Sequence, residues 1–255
     1  MVSLVLGMDF TVINLIWISV ALITFLSLVV LKVRAPYGRH SNNNWGVMIS
    51  NKWGWFFMEL PAFLLMPALA LLGPAPKNEV TYLLVALWVL HYGNRTLVYP
   101  FRIKTNHKKM PLLIALSAIL FNGMNGFLNG YFLGCLNESL YSFTEVHVIA
   151  GLIIFIAGML INISSDNTLI ALRKGAEGYR IPHGGLFQYV SCPNHFGEIV
   201  EWIGFMVLAW NLPSITFAVW TFCNLCPRSL NHHHWYFEQF SDYPKRRKAL
   251  IPFIL

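Results

Sequence analysis

Long apolar stretches separated by short polar loops set the pattern of this chain. A helix that crosses a bilayer needs about 20 mostly apolar residues. On that measure spans are expected at Phe10–Leu31, Trp53–Leu72, Thr81–Val98, Leu112–Leu133, Phe143–Ile163, Glu198–Trp210 and Leu212–Pro227. The last two share one apolar stretch, because about 30 residues is too long for a single crossing. Asn211-Leu212-Pro213 divides it and reads as a tight turn at the outer surface. The stretch ending at Leu31 has no positive n-region, and its first basic residues, Lys32 and Arg34, follow the apolar run. It is therefore expected to stay as a spanning helix with its N-terminus outside.

Charge fits this count. Seven spans with an outer N-terminus place Lys32, Arg34, Arg39 and Lys52 inside, with Arg95, Arg102, Lys104, Lys108 and Lys109. Arg173, Lys174, Arg180, Arg228, Lys245, Arg246, Arg247 and Lys248 are also inside, so that of the 18 Lys and Arg only Lys77 lies outside. Basic residues collect in cytoplasmic loops, which accounts for the net charge of +7 without nucleic acid. The chain is 56% hydrophobic and 11% charged, against about 25% charged in a soluble domain. The expected fold class is an all-α, polytopic, multi-pass integral membrane protein of seven transmembrane helices, with a cytoplasmic C-terminus. One domain spans residues 1–255, without linkers or repeats. Cys223 and Cys226 sit in an apolar stretch and read as buried thiols, not as a zinc site.

Charged and amide side chains at bilayer depth carry a cost of about 2.5–3.5 kcal/mol per charge and so ask for a reason. Glu59 lies inside the second span, close to Pro61, which frees a backbone carbonyl and bends a helix. It reads as a functional carboxylic acid facing the bundle interior and able to donate a hydrogen bond; the alternative is a helix-bend carboxyl satisfied by a neighbour. His91 and Arg95 are four apart on one face of the third span, with Tyr92 about 100° round. Arg95 and Arg102 make an anionic ligand plausible near the inner surface, whereas Tyr92 alone would read as an aromatic-belt residue. Asn122, Asn125 and Asn129 share a face of the fourth span and need partners, either other helices or a polar ligand. Gly126, Gly130 and Gly134 recur at spacing four, which permits close helix contact.

The inner ends of the later spans are rich in the same chemistry. Asn162 and Asp166 lie four apart, ahead of Arg173 and Lys174, an arrangement that suits a nucleotide. Ser164-Ser165-Asp166-Asn167 also reads as the end of one helix and the cap of another. Gly184-Gly185 gives a tight turn just after Arg180, and Asn194, Glu198 and Glu201 run into the sixth span. Of the three adjacent histidines, neighbours point about 100° apart and cannot converge on a metal ion. His232 and Tyr236, four apart, share a helix face and suit a cofactor pocket. The run Lys245-Arg246-Arg247-Lys248 reads as an inner-surface anchor for anionic membrane lipids. No GxGxxG follows a strand, so a Rossmann domain is excluded.

Together these motifs resemble the steroid 5α-reductase (3-oxo-5α-steroid 4-dehydrogenase) family, and within it the animal type 2 branch. The likeness is densest in GMLINISSD, LRKG, YRIPHGGLFQYVS, PNHFGEIVEWIGF, HHHWYF and DYPKRRKALIPFIL, and continues upstream in ELPAF around Glu59 and HYGNRTLVYP around Tyr92. It implies a steroid-like lipid substrate in residues 1–135 and NADPH in residues 136–255, on the cytoplasmic side, with no metal. It also implies that Glu59 and Tyr92 are catalytic, hydrogen-bonding the steroid C3 carbonyl oxygen. Cofactor contacts are implied for Arg95, Asn162, Asp166, Arg173, Tyr179, Arg180, Asn194, Glu198, Glu201, Arg228, His232 and Tyr236. RIKTNHKKMP, after Tyr99, replaces the short glycine-containing basic stretch of the animal enzymes, which leaves Arg102 and Lys104 as alternative phosphate contacts. His183 stands where a relative has glutamine. The reaction implied is hydride transfer to C5 of a 3-oxo-Δ4-steroid. Rival readings are an NADPH-dependent reductase of another lipid enone, enoyl thioester or polyprenol, a methyltransferase using S-adenosylmethionine, and a sterol-binding receptor without catalysis.

Overall fold

A computed structural model describes residues 4–5, 8–31, 45–103, 108–138, 141–173 and 178–255. Lys32, Arg34, Arg39, Lys104 and Lys174 lie outside the described residues. Seven helices of 15 residues or more are present among those described: α1 (Phe10–Val30), α2 (Asn51–Leu72), α3 (Glu79–Gly93), α5 (Leu112–Tyr131), α6 (Val146–Leu172), α7 (Pro193–Ala209) and α8 (Leu212–Gln239). A single turn, α4 (Tyr99–Arg102), follows a π-helical segment at Asn94–Val98, and a second π segment, Phe132–Leu136, extends α5. Short antiparallel pairs join β1 (Leu4–Val5) to β2 (Met8–Asp9) and β3 (Met48–Ser50) to β4 (Lys109–Pro111). Among the described residues, four helical stretches are long and apolar enough to cross a membrane: Phe10–Val30, Asn51–Leu72, Leu112–Leu136 and Val146–Leu172.

Every expected helix is found, but several ends differ: α7 starts at Pro193, five residues before Glu198, and α3 gives way to the π segment after Gly93. Ser164-Ser165-Asp166-Asn167 is not a cap: α6 runs through it to Leu172. The hydroxyls of Ser164 and Thr168 donate to the carbonyls of Ile161 and Ser164 one turn back, so polar side chains join the helix ladder instead of ending it. Nor does α8 stop at Pro227, since it continues to Gln239 and carries Arg228, His232 and Tyr236 on one face. The turn between α7 and α8 is where the sequence puts it. Asn211 caps α8 by accepting from the Ser214 N–H at 3.0 Å, and Trp210 takes a positive φ of 47° to turn the chain.

The chain divides into two compact units. The first comprises Met1–Asn14, Ala35–Ile149 and Leu208–Ser214. In it α5 lies against α2 along the glycine stripe. A Cβ at Gly126 would come within 3.2 Å of the Ala62 Cα, one at Gly130 within 2.8 Å of the Met66 backbone, and one at Gly134 would collide with the Leu69 carbonyl. α3 is fastened to α2 by the Trp88 indole, which donates to the Ala62 carbonyl at 2.9 Å.

The second unit comprises Leu15–Arg34, Ala150–Val207 and Ile215–Leu255. Here α6 and α7 also meet at glycines: a Cβ at Gly158 would strike the Glu201 backbone N–H, and one at Gly204 the Phe155 backbone. Trp202, wholly buried, packs on Phe217 of α8 with ring centroids 4.4 Å apart. The Trp220 indole donates to the Trp17 carbonyl of α1 at 2.8 Å. The run 248–249 is stitched to 189–192 through Lys248 N–H to Tyr189 O, Ser191 N–H to Lys248 O and Cys192 N–H to Ala249 O.

Gly158→Val is expected to push α6 from α7 and destabilise the protein by about 1–3 kcal/mol, the usual range for overpacking. Gly123→Ala, where an added methyl meets nothing within 4 Å, serves as the control. Thermal unfolding in detergent should show a lowered Tm for the first variant and no loss for the second.

Candidate functional site

In the first unit one amide joins the two residues that the sequence singles out. Asn122 of α5 donates through Nδ2 to Glu59 Oε2 of α2 at 3.1 Å and to the Met58 carbonyl at 2.6 Å. Its Oδ1 accepts from the Tyr92 hydroxyl of α3 at 3.3 Å. Glu59 and Tyr92 are buried, at 9% and 3% exposure, and Asn122 lies with them. The amide thus holds an acid and a phenol from different helices in one hydrogen-bonded line. The Tyr92 ring is itself wedged between Trp88 and His91, with centroids 5.0 Å from each.

The asparagine stripe, which left partners open, divides. Asn122 reaches across to the other helices, while Asn125 and Asn129 donate to the carbonyls of Phe121 and Asn125 within α5. Arg95 lies at the start of the π segment Asn94–Val98. Its guanidinium sits over the rings of Trp55 and Tyr99 at 5.1 and 4.9 Å, two aromatic partners that the sequence reading missed.

In the second unit, four of the expected residues form a connected network. Asn162 of α6 donates to the Asn194 carbonyl at 3.0 Å and to Glu198 Oε2 at 3.3 Å, both on α7. Asn194 donates back to Asp166 Oδ1 at 3.2 Å. Glu201, two turns after Asn194 on the same helix, is wholly buried against Gly158. On α8 the His232 ring lies 5.7 Å from that of His195. The Ser229 hydroxyl donates to the Leu225 carbonyl, so it accepts from His195 Nδ1–H at 2.8 Å. Tyr179 meets the edge of Trp235 at 5.0 Å. Arg173 and Arg228 are half-buried and Arg180 is exposed. Gly184 and Gly185, with φ of 85° and 49°, make the expected turn. Carboxylates and amides in the interior, with cations toward the surface, form a donor and acceptor set that fits the hydroxyls, carboxamide and phosphates of a nicotinamide dinucleotide.

Tyr236 is supported by residues that the sequence did not flag. Its ring stacks on Tyr243 at 5.0 Å and 7°. The Tyr243 hydroxyl and His233 Nδ1 each lie 2.6 Å from the Ser191 hydroxyl. Burial pushes the Tyr243 phenol above its usual range, so it remains a neutral hydrogen-bonding group. Burial, then the neighbouring charges of His234 and Lys248, lowers His233 to about 4. Only the adjacency of three histidines hinted at this hub, and nothing in the sequence tied Ser191 to it.

Comparison with known proteins gives the family. Residues 108–255 match the family model described as 3-oxo-5-alpha-steroid 4-dehydrogenase. The chain is 42% identical over 243 residues to the steroid 5-alpha-reductase DET2 of Gossypium hirsutum, covering 92% of this chain and 93% of the relative. It is 40% identical to the 3-oxo-5-alpha-steroid 4-dehydrogenase 1 of Bos taurus, covering 88% and 89%, and 40% identical to that of Homo sapiens, covering 88% and 87%. The chain belongs to the steroid 5α-reductase family. As a member of that family it is an oxidoreductase. The plant and animal 5α-reductases resemble it to nearly the same degree, so no one branch stands out among these relatives.

The hub around Ser191 gives a pH prediction. His233 in the folded protein holds its proton only near pH 4, below the ordinary value of 6.5. Between these values the unfolded chain binds more protons, so stability is full above about pH 6.5 and is lost as pH falls toward 4. Replacing His233 by Gln should flatten the Tm profile across that window; an unchanged slope would exclude His233 as its source.

Proposed function

We propose that this chain reduces the Δ4 double bond of a 3-oxo-Δ4-steroid to the 5α-dihydro product, using NADPH. The observation that carries the reading is the buried line Glu59–Asn122–Tyr92. An acid and a phenol held together in an apolar interior are suited to donate to a single carbonyl oxygen, and donors in a dry site act most strongly on charge that develops during reaction. Residues 1–255 act as one membrane-embedded reductase domain, in which 1–135 take up the steroid and 136–255 the cofactor. Seven spans, with an outer N-terminus and a cytoplasmic cofactor side, agree with the distribution of Lys and Arg.

Asn162, Asp166, Asn194, Glu198 and Glu201 supply hydrogen bonds to ribose and carboxamide. Arg95, Arg173, Arg180 and Arg228 supply charge to phosphates, and Tyr179, His232 and Tyr236 complete the pocket walls. When bound, reduced nicotinamide supplies the hydride that adds at C5. Glu59, as the protonated acid, donates to the C3 oxygen as it gains enolate charge, and Tyr92 turns its one O–H from Asn122 Oδ1 to the same oxygen, while the Asn122 amide holds Glu59 in place. Protonation at C4 completes the reaction. The apolar walls around the pair exclude water, which keeps these two hydrogen bonds from being shared with solvent.

Glu59→Leu is expected to retain NADPH binding, read by fluorescence titration, while kcat for a Δ4-3-ketosteroid falls by about 10²–10³-fold, the usual loss for one oxyanion donor. Near-normal turnover would remove Glu59 from the reaction. Arg180→Ala should weaken NADPH binding and leave steroid binding intact; the reverse result would mean that the two halves are misassigned.

A further inference from the structure

The last six residues of the sequence form a turn that is anchored on one side and bare on the other. Leu255 O accepts from the N–H groups of Leu250 and Ile251 at 2.7 and 2.8 Å, and Ile251 O accepts from those of Ile254 and Leu255. The segment is therefore a fixed turn. Its root, Leu250, is wholly buried in a cluster with Ile199, Leu225 and Cys226, onto which Phe25 of α1 packs. Its tip is the opposite: Phe253 is 77% and Ile254 75% exposed, and Tyr189, also exposed, lies 5.3 Å from the Phe253 ring. Phe253 also takes a φ of 67°, a left-handed conformation that is unfavourable for so large a side chain. The hydrogen bonds of the turn and its buried root hold that conformation in place and leave the apolar tip presented outward.

The neighbouring charge says what the tip meets. Lys245, Arg246 and Lys248 are exposed beside the turn, whereas Arg247 is turned inward over the Tyr243 ring. Asp242 is the one acidic side chain between residues 241 and 255. Aromatic and aliphatic tips flanked by exposed cations are the composition that seats at the boundary between anionic headgroups and acyl chains. The root packs on the Phe25 turn of α1, near the end of a helix apolar enough to span the bilayer, so the tip lies close to such a boundary. We infer that Phe253, Ile254 and Tyr189 insert into the headgroup region of an anionic phospholipid leaflet, with Lys245, Arg246 and Lys248 on its phosphates. Through Lys248 and its bonds to Tyr189 and Ser191, this contact reaches the segment that leads into α7.

The inference rests on the membrane placement proposed above, and the test separates the two. Full-length protein with Cys135→Ser and Ile254→Cys is labelled with the fluorophore NBD; the other three cysteines are buried. It is reconstituted in nanodiscs of phosphatidylcholine with and without phosphatidylserine. Shallow nitroxide lipids should quench the label and iodide should not, and phosphatidylserine should deepen the quenching. The triple variant Lys245→Gln, Arg246→Gln, Lys248→Gln should lose that dependence. Unlabelled wild type should melt at higher temperature with phosphatidylserine, and the triple variant should not. Access by iodide without nitroxide quenching overturns the inference, as does shielding from both, which means that protein covers the patch. Equal behaviour in both lipid compositions overturns it too. A label at Leu22→Cys, exposed on α1, reports the membrane placement itself: if it alone is quenched by lipid, only the contact at the turn fails.

Discussion

A polar group carried into an apolar helix bundle has to find its hydrogen bonds inside the protein, because neither lipid nor packed side chains offer any. That constraint governs the first unit. Glu59 reaches Asn122, and Asn122 reaches Tyr92, only because α5 lies close enough to α2 for a short amide to cross. Closeness is a backbone matter. The stripe from Gly126 to Gly134 removes the side chains that would hold the helices apart, and at Gly130 and Gly134 even one added carbon has no room. Glycines on one face of α5 and asparagines on it are two parts of one arrangement.

The second unit solves the same problem with the same materials. Gly158 and Gly204 bring α6 and α7 together, and the polar side chains that this buries bond to each other: Asn162 to Glu198, Asn194 to Asp166. An amide between carboxylates is well suited to this position, since it donates and accepts at once and carries no charge of its own. Such a network sets the rotamers of its members, which is what a binding site for a polar ligand requires.

Much of this was legible from residues alone, and the failures have particular causes. Hydrophobic runs located all seven long helices, because an apolar stretch of span length has few other uses. Helix ends were less secure. Ser164 to Asn167 carry cap chemistry, yet their hydroxyls serve the helix carbonyls equally well, and packing on α7 decided between the two. Pro227 looked like an end but was absorbed within α8. Local patterns named Glu59, Tyr92 and the polar residues of α6 and α7. They could not show that Asn122 crosses to Glu59 and Tyr92, since Asn122, Asn125 and Asn129 share a face. Ser191 meets His233 and Tyr243 across 42 and 52 residues of sequence, a separation that no spacing rule sees.

The arrangement around Glu59 also bears on what such a site can and cannot discriminate. Apolar walls reject a wrong shape only weakly, because one methylene more or less changes binding by about 1–3 kcal/mol. Buried donors are far stricter, because a ligand without an acceptor gives them nothing in exchange for the bonds they must break to meet it. Under the proposed function, the acid–amide–phenol line would ask for a carbonyl-like oxygen before any particular ring system. Substrate choice would then rest with the apolar side chains around the line, and the requirement for a ketone with Glu59 and Tyr92.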